Sequence, residues 1–189
     1  MRYLVTGASG LLGVHLGLHL AKTQSVTGVV NHRFLHGLPF TIRQQDLTDL
    51  ERLEDLIILE KPDCIIHCAA MANIDECEKH PQLADVINVQ VPRKFAELTR
   101  KHGIRFVHIS TDAVFDGLST SYTETDSVNP LSVYARTKAQ SEIQVLDQNS
   151  EAIVARVNFY GWSVTGKRSL GEWFYYQLAA HNQVKGFTD

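Results

Sequence analysis

The sequence predicts an α/β fold, a doubly wound parallel sheet with helices on both faces, formed as a single domain over residues 1–189. Three observations predict it. Short apolar strands alternate with helical patterns along the chain. The first strand, Arg2-Tyr3-Leu4-Val5-Thr6, runs straight into a glycine-rich turn and then a helix. The run Asp63 to Cys68 is almost unbroken in its apolar character, as a parallel strand covered on both faces requires.

Composition narrows the function classes. A hydrophobic fraction of 44% with 21% charged residues is that of an ordinary globular domain with length enough for a core. A net charge of -3, with no basic run, argues against a nucleic-acid or anionic-membrane surface. The chain shows no secretory-type leader and no apolar run near the roughly 20 residues of a membrane span. Cys64, Cys68 and Cys77 form an odd set without metal-type spacing, so they are expected as reduced thiols, with no metal site and a cytoplasmic setting.

Each element carries its own reason. The turn Thr6-Gly7-Ala8-Ser9-Gly10-Leu11-Leu12-Gly13 has the pattern Gly-x-x-Gly-x-x-Gly. Glycines there permit a tight turn, close backbone approach to a pyrophosphate and close packing of helix on strand. The helix that follows, Leu11 to Lys22, presents the free N–H groups and positive dipole end that hold phosphates. Gly7, Ser9, Gly10, Leu11, Leu12 and Gly13 are therefore the expected cofactor-binding turn of a Rossmann-like fold. A second strand, Ser25 to Val30, ends in Asn31-His32-Arg33. The acidic residue that would bind a ribose 2′-hydroxyl is missing there, and His32 and Arg33 are suited to a 2′-phosphate. NADP(H) is favoured and NAD(H) stays open, as does an exposed-loop role for Arg33.

An extended piece, Phe40 to Gln44, leads to Asp46-Leu47-Thr48-Asp49, with Asp46 and Leu47 at a strand's carboxyl end, where ligands bind. Thr48 with Glu51 reads as a capping box for a helix to about Leu59. Ala69 and Ala70, after the fourth strand, are small enough for a cofactor to lie against the backbone. A polar stretch with Asn73 and Asp75 precedes a helical pattern from Pro81 to His102, closed by Gly103, in which Pro92 predicts a kink or break. Asn88 within it suits either a structural hydrogen bond or a proton path.

The fifth strand, Arg105 to Ile109, delivers Ser110-Thr111-Asp112, and a hydroxyl there can polarise a carbonyl. A long polar loop runs to Pro130. Then come Ser132, an expected N-cap, and Tyr134-Ala135-Arg136-Thr137-Lys138. On a helix the phenol and the ammonium share a face, and a fixed cation eases proton loss from the phenol. The pair alone is common on solvated helix faces; the cofactor turn and Thr111 give it weight. A sixth strand, Ala152 to Val157, and an aromatic-rich helix, about Leu170 to Ala180, complete the pattern. Trp173, Phe174, Tyr175 and Tyr176 suit a substrate cleft or an interface.

With Thr111 and Tyr134-x-x-x-Lys138 in place, the chain resembles the extended short-chain dehydrogenase/reductase family, and within it the dTDP-4-dehydrorhamnose reductase branch. The resemblance rests on Thr6 to Gly13, Asp46 to Asp49, His67-Cys68-Ala69-Ala70, Ser110 to Gly117, Pro130 to Lys138 and Arg156 to Gly161. It implies NAD(P)H-dependent reduction of a 4-keto sugar nucleotide. Tyr134 would exchange the proton at the carbonyl oxygen, Lys138 would lower the tyrosine pKa and bind the nicotinamide ribose, and Thr111 would hold the carbonyl. Related 4,6-dehydratases carry Asp-Glu after the threonine; here Asp112 is followed by Ala113, which suits a simple reductase. The same branch includes a regulatory subunit of methionine adenosyltransferase, and a sugar-nucleotide epimerase is a third alternative. Most relatives continue well beyond the equivalent of Asp189, so the lobe that grips the nucleotide-sugar is expected to be absent or truncated here. A homodimer is open.

Overall fold

The computed structural model describes residues 1–163 and 169–184. Six strands form one sheet: β1 (Arg2–Thr6), β2 (Ser25–Val30), β3 (Thr41–Gln44), β4 (Cys64–His67), β5 (Arg105–Thr111) and β6 (Ile153–Val157). Their order is β3-β2-β1-β4-β5-β6, and every pairing is parallel. The chain winds outward from β1 to β3, then returns to β4 on the other side of β1. That reversal leaves a crevice at the carboxyl ends of β1 and β4, the place where doubly wound sheets bind ligands.

Among the described residues, seven α-helices accompany the sheet: α1 (Leu11–Leu20), α2 (Arg52–Glu60), α3 (Ile74–Lys79), α4 (Pro81–Asp85), α5 (Val91–His102), α6 (Val133–Gln148) and α7 (Leu170–Ala179). Leu4, Ile65 and Phe106 are register partners across β1, β4 and β5, and each is buried. Leu53, Leu56 and Ile57 of α2 and Phe95 and Leu98 of α5 join them in the core cluster. Side chains two residues apart on a strand share a face. The next rung on this face is therefore Thr6, His67 and His108, also register partners and also buried. An apolar rung holds the sheet; the polar rung beyond it underlies the site.

Three local expectations change. The single helix expected from Pro81 to His102 is α4, a π-helical turn over Val86–Gln90, and α5. Pro92 lies in the first turn of α5, where its missing N–H is tolerated, and the wide turn just before it absorbs the break. Thr48 does not cap α2, which begins later at Arg52 without a side-chain cap. The Asp46 carboxylate takes both the Thr48 amide (2.9 Å) and its hydroxyl (2.8 Å), so the capping box with Glu51 does not form. The polar stretch at Asn73 is the start of α3, with Asn73 Oδ1 accepting the Glu76 N–H at 3.0 Å. The stretch Gly186 to Asp189 lies outside the described residues.

Candidate active site

The glycine turn is built around main-chain crowding. Gly7 has φ +66°, and a Cβ on it would stand 2.7 Å from the Ala69 nitrogen and 2.8 Å from its Cα. A Cβ on Gly13 would stand 2.3 Å from the Gly7 carbonyl oxygen. These two glycines let the first turn of α1 sit directly on the end of β1. Thr6 joins the neighbouring strand end: its hydroxyl accepts the Ala69 N–H at 3.2 Å and lies 2.8 Å from His67 Nδ1. Gly10 caps α1 without a side-chain hydrogen bond. The first-turn amides of Leu11, Leu12 and Gly13 thus have no intrahelical acceptor and lie at the positive end of the helix.

In front of this turn is a crevice of about 290 Å³. Of the residues expected at the cofactor, Gly7, Ser9, Gly10, Asn31, Asp46, Leu47, Ala69 and Ala70 line it. Val29, Val30, Gln45, Thr48, Cys68, Ile87 and Val91 line it too and were not anticipated. Most of these are strand-end or helix residues whose place follows from register rather than from any local motif. Leu11, Leu12, Gly13, His32 and Arg33 are not in its wall. Asn31 and His32 are exposed and Arg33 is half-buried. The hydrogen bonds from Thr48, and more weakly the nearby His32, hold the Asp46 carboxyl below the usual carboxylate range.

The second group of residues stands on β5 and α6. Thr111 is the last residue of β5 and caps the short 3₁₀ turn Asp112–Val114, accepting the Ala113 N–H at 3.2 Å. Ser132 caps α6 as expected, its Oγ accepting the Ala135 N–H at 3.1 Å. Glu78 of α3 also holds that helix end, accepting the Val133 N–H at 2.7 Å. Tyr134 is half-buried in the first turn. Burial raises its phenol pKa, the adjacent Thr111 side chain draws it part-way back, and Cys77 and Asp112 push it up.

Lys138 corrects one expectation. Its ammonium is turned into the protein, 2% exposed, donating to the Ile109 carbonyl at 2.6 Å and lying 3.3 Å from His108 Nε2. Burial is the largest influence on the Tyr134 phenol and holds it in its protonated form. The lysine turns inward through packing. α6 lies on β5, and a buried ammonium at that height takes the strand-end carbonyl as its acceptor. Burial lowers the lysine pKa to about 8, against the opposing pull of Glu142 and Cys68.

Asn88 resolves as a clamp. From the π-helical turn its Oδ1 accepts the Met71 N–H at 2.8 Å, and its amide nitrogen reaches the Met71 carbonyl and the Thr137 hydroxyl, each at 3.1 Å. It ties the loop after Ala70 to the helix residue between Tyr134 and Lys138. On the other side of Lys138, Glu142 is 6% exposed and receives Ser110 Oγ at 2.5 Å and Arg156 through Nε and Nη2. Arg156 lies 5.0 Å over the Phe115 ring, which stacks on Tyr122. The aromatic side chains Trp173, Tyr175 and Tyr176 of α7 are exposed. No metal-ligating cluster occurs among the described residues, and no helix there is long and apolar enough to cross a membrane.

The family model for the RmlD substrate binding domain matches residues 1–183. The chain belongs to that family. Among family relatives, a "Probable low-salt glycan biosynthesis reductase" of Haloferax volcanii is 34% identical over all of this chain and 64% of its own length. Methionine adenosyltransferase 2 subunit beta of Bos taurus is 35% identical over 82% of this chain and 46% of its own. Solved structures agree. A "hypothetical dTDP-4-dehydrorhamnose reductase" from Sulfolobus tokodaii superposes with a TM-score of 0.87 at 34% identity, over 97% of this chain and 64% of that one. The dTDP-4-dehydrorhamnose reductase of Bacillus anthracis in complex with NADP gives 0.71 at 28% identity, over 82% and 52%. This member of the RmlD family thus spans between about half and two thirds of the length of the relatives it matches.

Proposed function

We propose that the chain is the cofactor-binding and proton-transferring part of an NADP(H)-dependent reductase of a 4-keto sugar nucleotide. One observation carries this: the glycine turn at the β1/β4 crevice and the Thr111–Tyr134 pair lie at the same carboxyl edge of the sheet. The cradle fits a dinucleotide. It offers uncapped helix amides to a pyrophosphate and small residues, Ala69 and Ala70, to a flat ring system. His32 and Arg33 are assigned to the adenosine ribose, where a 2′-phosphate would meet them, and NAD(H) is the competing cofactor.

When bound, the nicotinamide would supply the hydride to the carbonyl carbon. The chain's own residues supply the rest. Tyr134, kept in its phenol form by burial, donates its proton to the carbonyl oxygen, so a C=O group becomes CH–OH. Thr111, beside that phenol, holds the carbonyl oxygen by its hydroxyl. Lys138 carries a positive charge behind the pair, which would stabilise the phenolate left after transfer. Residues 1–189 are assigned to one cofactor-binding domain. The setting is cytoplasmic, and a homodimer is the assembly to test by light scattering.

A second reading is favoured by one specific finding, the 35% identity to methionine adenosyltransferase 2 subunit beta. There the fold would bind dinucleotide and a partner enzyme without turnover. A screen of keto-sugar nucleotides with NADPH and NADH separates the two. Oxidation of NADPH by a 4-keto sugar nucleotide is expected. No oxidation by any of them, together with a stable complex with a methionine adenosyltransferase, would replace the reductase with the regulatory protein.

A further inference from the structure

Beneath the Tyr134–Lys138 turn lies the buried polar rung of the sheet, and no role above uses its histidines. His67 and His108 are register partners on β4 and β5, their rings stacked 5.6 Å apart at 22°. Both are buried, by 1% and 0% exposure, in a face otherwise made of Phe95 and Phe106. Each has one ring nitrogen without a hydrogen-bond partner among the described residues, Nε2 of His67 and Nδ1 of His108. Buried polar atoms left in that condition are uncommon and call for a reason. The partnered nitrogen of His108, Nε2, faces Lys138 Nζ at 3.3 Å and Ser141 Oγ at 2.9 Å.

The hydrogen count decides how these atoms are used. Ser141 has one hydroxyl proton, and the Lys138 carbonyl, 2.7 Å away, and His108 Nε2 both compete for it. An ammonium has three hydrogens and no lone pair. A lysine cation donating across the 3.3 Å contact needs a lone pair at Nε2. The proton of the neutral ring then sits on Nδ1, the atom without a partner. With one ammonium hydrogen on the Ile109 carbonyl and a second on His108, two of the three are held inside the protein.

We propose that His108 is a positioning residue: as a neutral acceptor it ties back the Lys138 ammonium, so that two of its three N–H groups are held between β5 and α6 and the cation keeps one fixed position behind Tyr134. His67, stacked behind it and pinned to Thr6, keeps the ring from turning. The other titratable groups around the ammonium are Cys68 at the end of β4, Glu142 on α6 with its partner Arg156 on β6, and Tyr134 one turn back on α6. Cys68 and Glu142 favour the charged lysine. Burial and the lysine charge keep both histidines neutral, His67 with a pKa lowered to about 3. The acceptor role deepens the reductase reading above and rests on it for its catalytic meaning, although the lysine–histidine contact itself does not.

The experiment is a titration of this chain with lysine labelled at 13Cε, followed by NMR, for wild type, His108→Phe and His108→Gln. Phenylalanine keeps the ring packing and removes the acceptor; glutamine restores an oxygen near the position of Nε2. Loss of a hydrogen bond to a cation destabilises the charged form, so His108→Phe is expected to lower the Lys138 pKa further, by about one unit. His108→Gln is expected to return it to within roughly half a unit of wild type. An unchanged lysine titration in folded His108→Phe would overturn the proposal, and so would a glutamine variant shifted as far as the phenylalanine one. If the phenylalanine variant does not fold, His108→Gln decides alone: near wild type supports an acceptor, a drop of about a unit refutes it. In the NADPH assay the lysine limb of the kcat pH profile should move with the NMR value while KM for NADPH changes less. A wild-type chain that shows the lysine shift but never oxidises NADPH would remove the reductase reading and leave the His108 contact standing.

Discussion

Gly13→Ala and Gly10→Ala, compared side by side, separate the structural from the ligand-facing use of the turn. A methyl on Gly13 would stand 2.3 Å from the Gly7 oxygen, 2.8 Å from its carbon and 2.9 Å from Ala8 Cα. All three are main-chain atoms, so no side chain can swing aside and α1 must lift from the end of β1. Overpacking of this kind costs about 1–3 kcal/mol, and rigid obstruction places this case near 3. For a chain of this size that is a fall in Tm of roughly 6–12 °C. At Gly10 the nearest obstruction is one oxygen at 3.2 Å, and the backbone there is extended, with φ -81° and ψ 169°. Stability should change by less than about 1 kcal/mol, but the methyl enters the crevice where the pyrophosphate backbone is to pass. Thermal melts by circular dichroism and NADPH titration by fluorescence read the two effects. Gly13→Ala should lose stability; Gly10→Ala should keep its Tm and bind NADPH at least roughly tenfold more weakly. A Gly13→Ala protein as stable as wild type, or a Gly10→Ala protein with unaltered NADPH affinity, would refute the assignment of the turn.

Other expectations follow from the buried polar groups. Glu142→Ala removes the acceptor of both Arg156 and Ser110; breaking such a pair costs about 3–5 kcal/mol when fully buried, and the 23% exposure of Arg156 brings the expected loss in urea unfolding to about 2–3. Asn88→Ala strands the Met71 N–H, while the Met71 carbonyl keeps the Cys77 thiol as donor, and should cost about 1–3 kcal/mol, with weaker NADPH binding because the loop after Ala70 is loosened. Acid should unfold the protein through its histidines. His67 has a folded pKa of about 3 against an ordinary 6.5, so the unfolded state binds the extra proton in that window. The stability is therefore fully present above about pH 6.5 and is lost as pH falls toward 3, with His108 adding in the same direction. Denaturant midpoints that stay flat from neutral pH to pH 5 would contradict neutral burial of this pair.

Much of this site could be read from local sequence, and the part that could not has a common cause. The glycine turn, Ser132, Tyr134 and Thr111 each announce themselves by chemistry within a few residues. The alternation of short apolar strands with helical patterns does the same for the sheet. His67 and His108 carry no such mark, because each sits as one polar residue in an apolar strand, and only the β4–β5 register brings the rings together. Glu142 and Arg156 meet in the same way across α6 and β6, fourteen residues apart in sequence. The Lys138 ammonium ends inside the protein for a related reason. Helical spacing fixes the face on which a side chain lies, but the acceptors offered by the neighbouring strand decide where a long cation ends. Thr48 failed as a cap because Asp46, two residues earlier, took its hydroxyl first.

The most direct measurement is turnover by Tyr134→Phe in the presence of NADPH and a 4-keto sugar nucleotide that the wild-type protein reduces, with NADPH affinity measured on the same samples. Loss of the phenolic proton should cut the rate by roughly a hundredfold or more while NADPH binds as tightly as before. A Tyr134→Phe protein that turns over at the wild-type rate would contradict the assignment of Tyr134 as the proton donor.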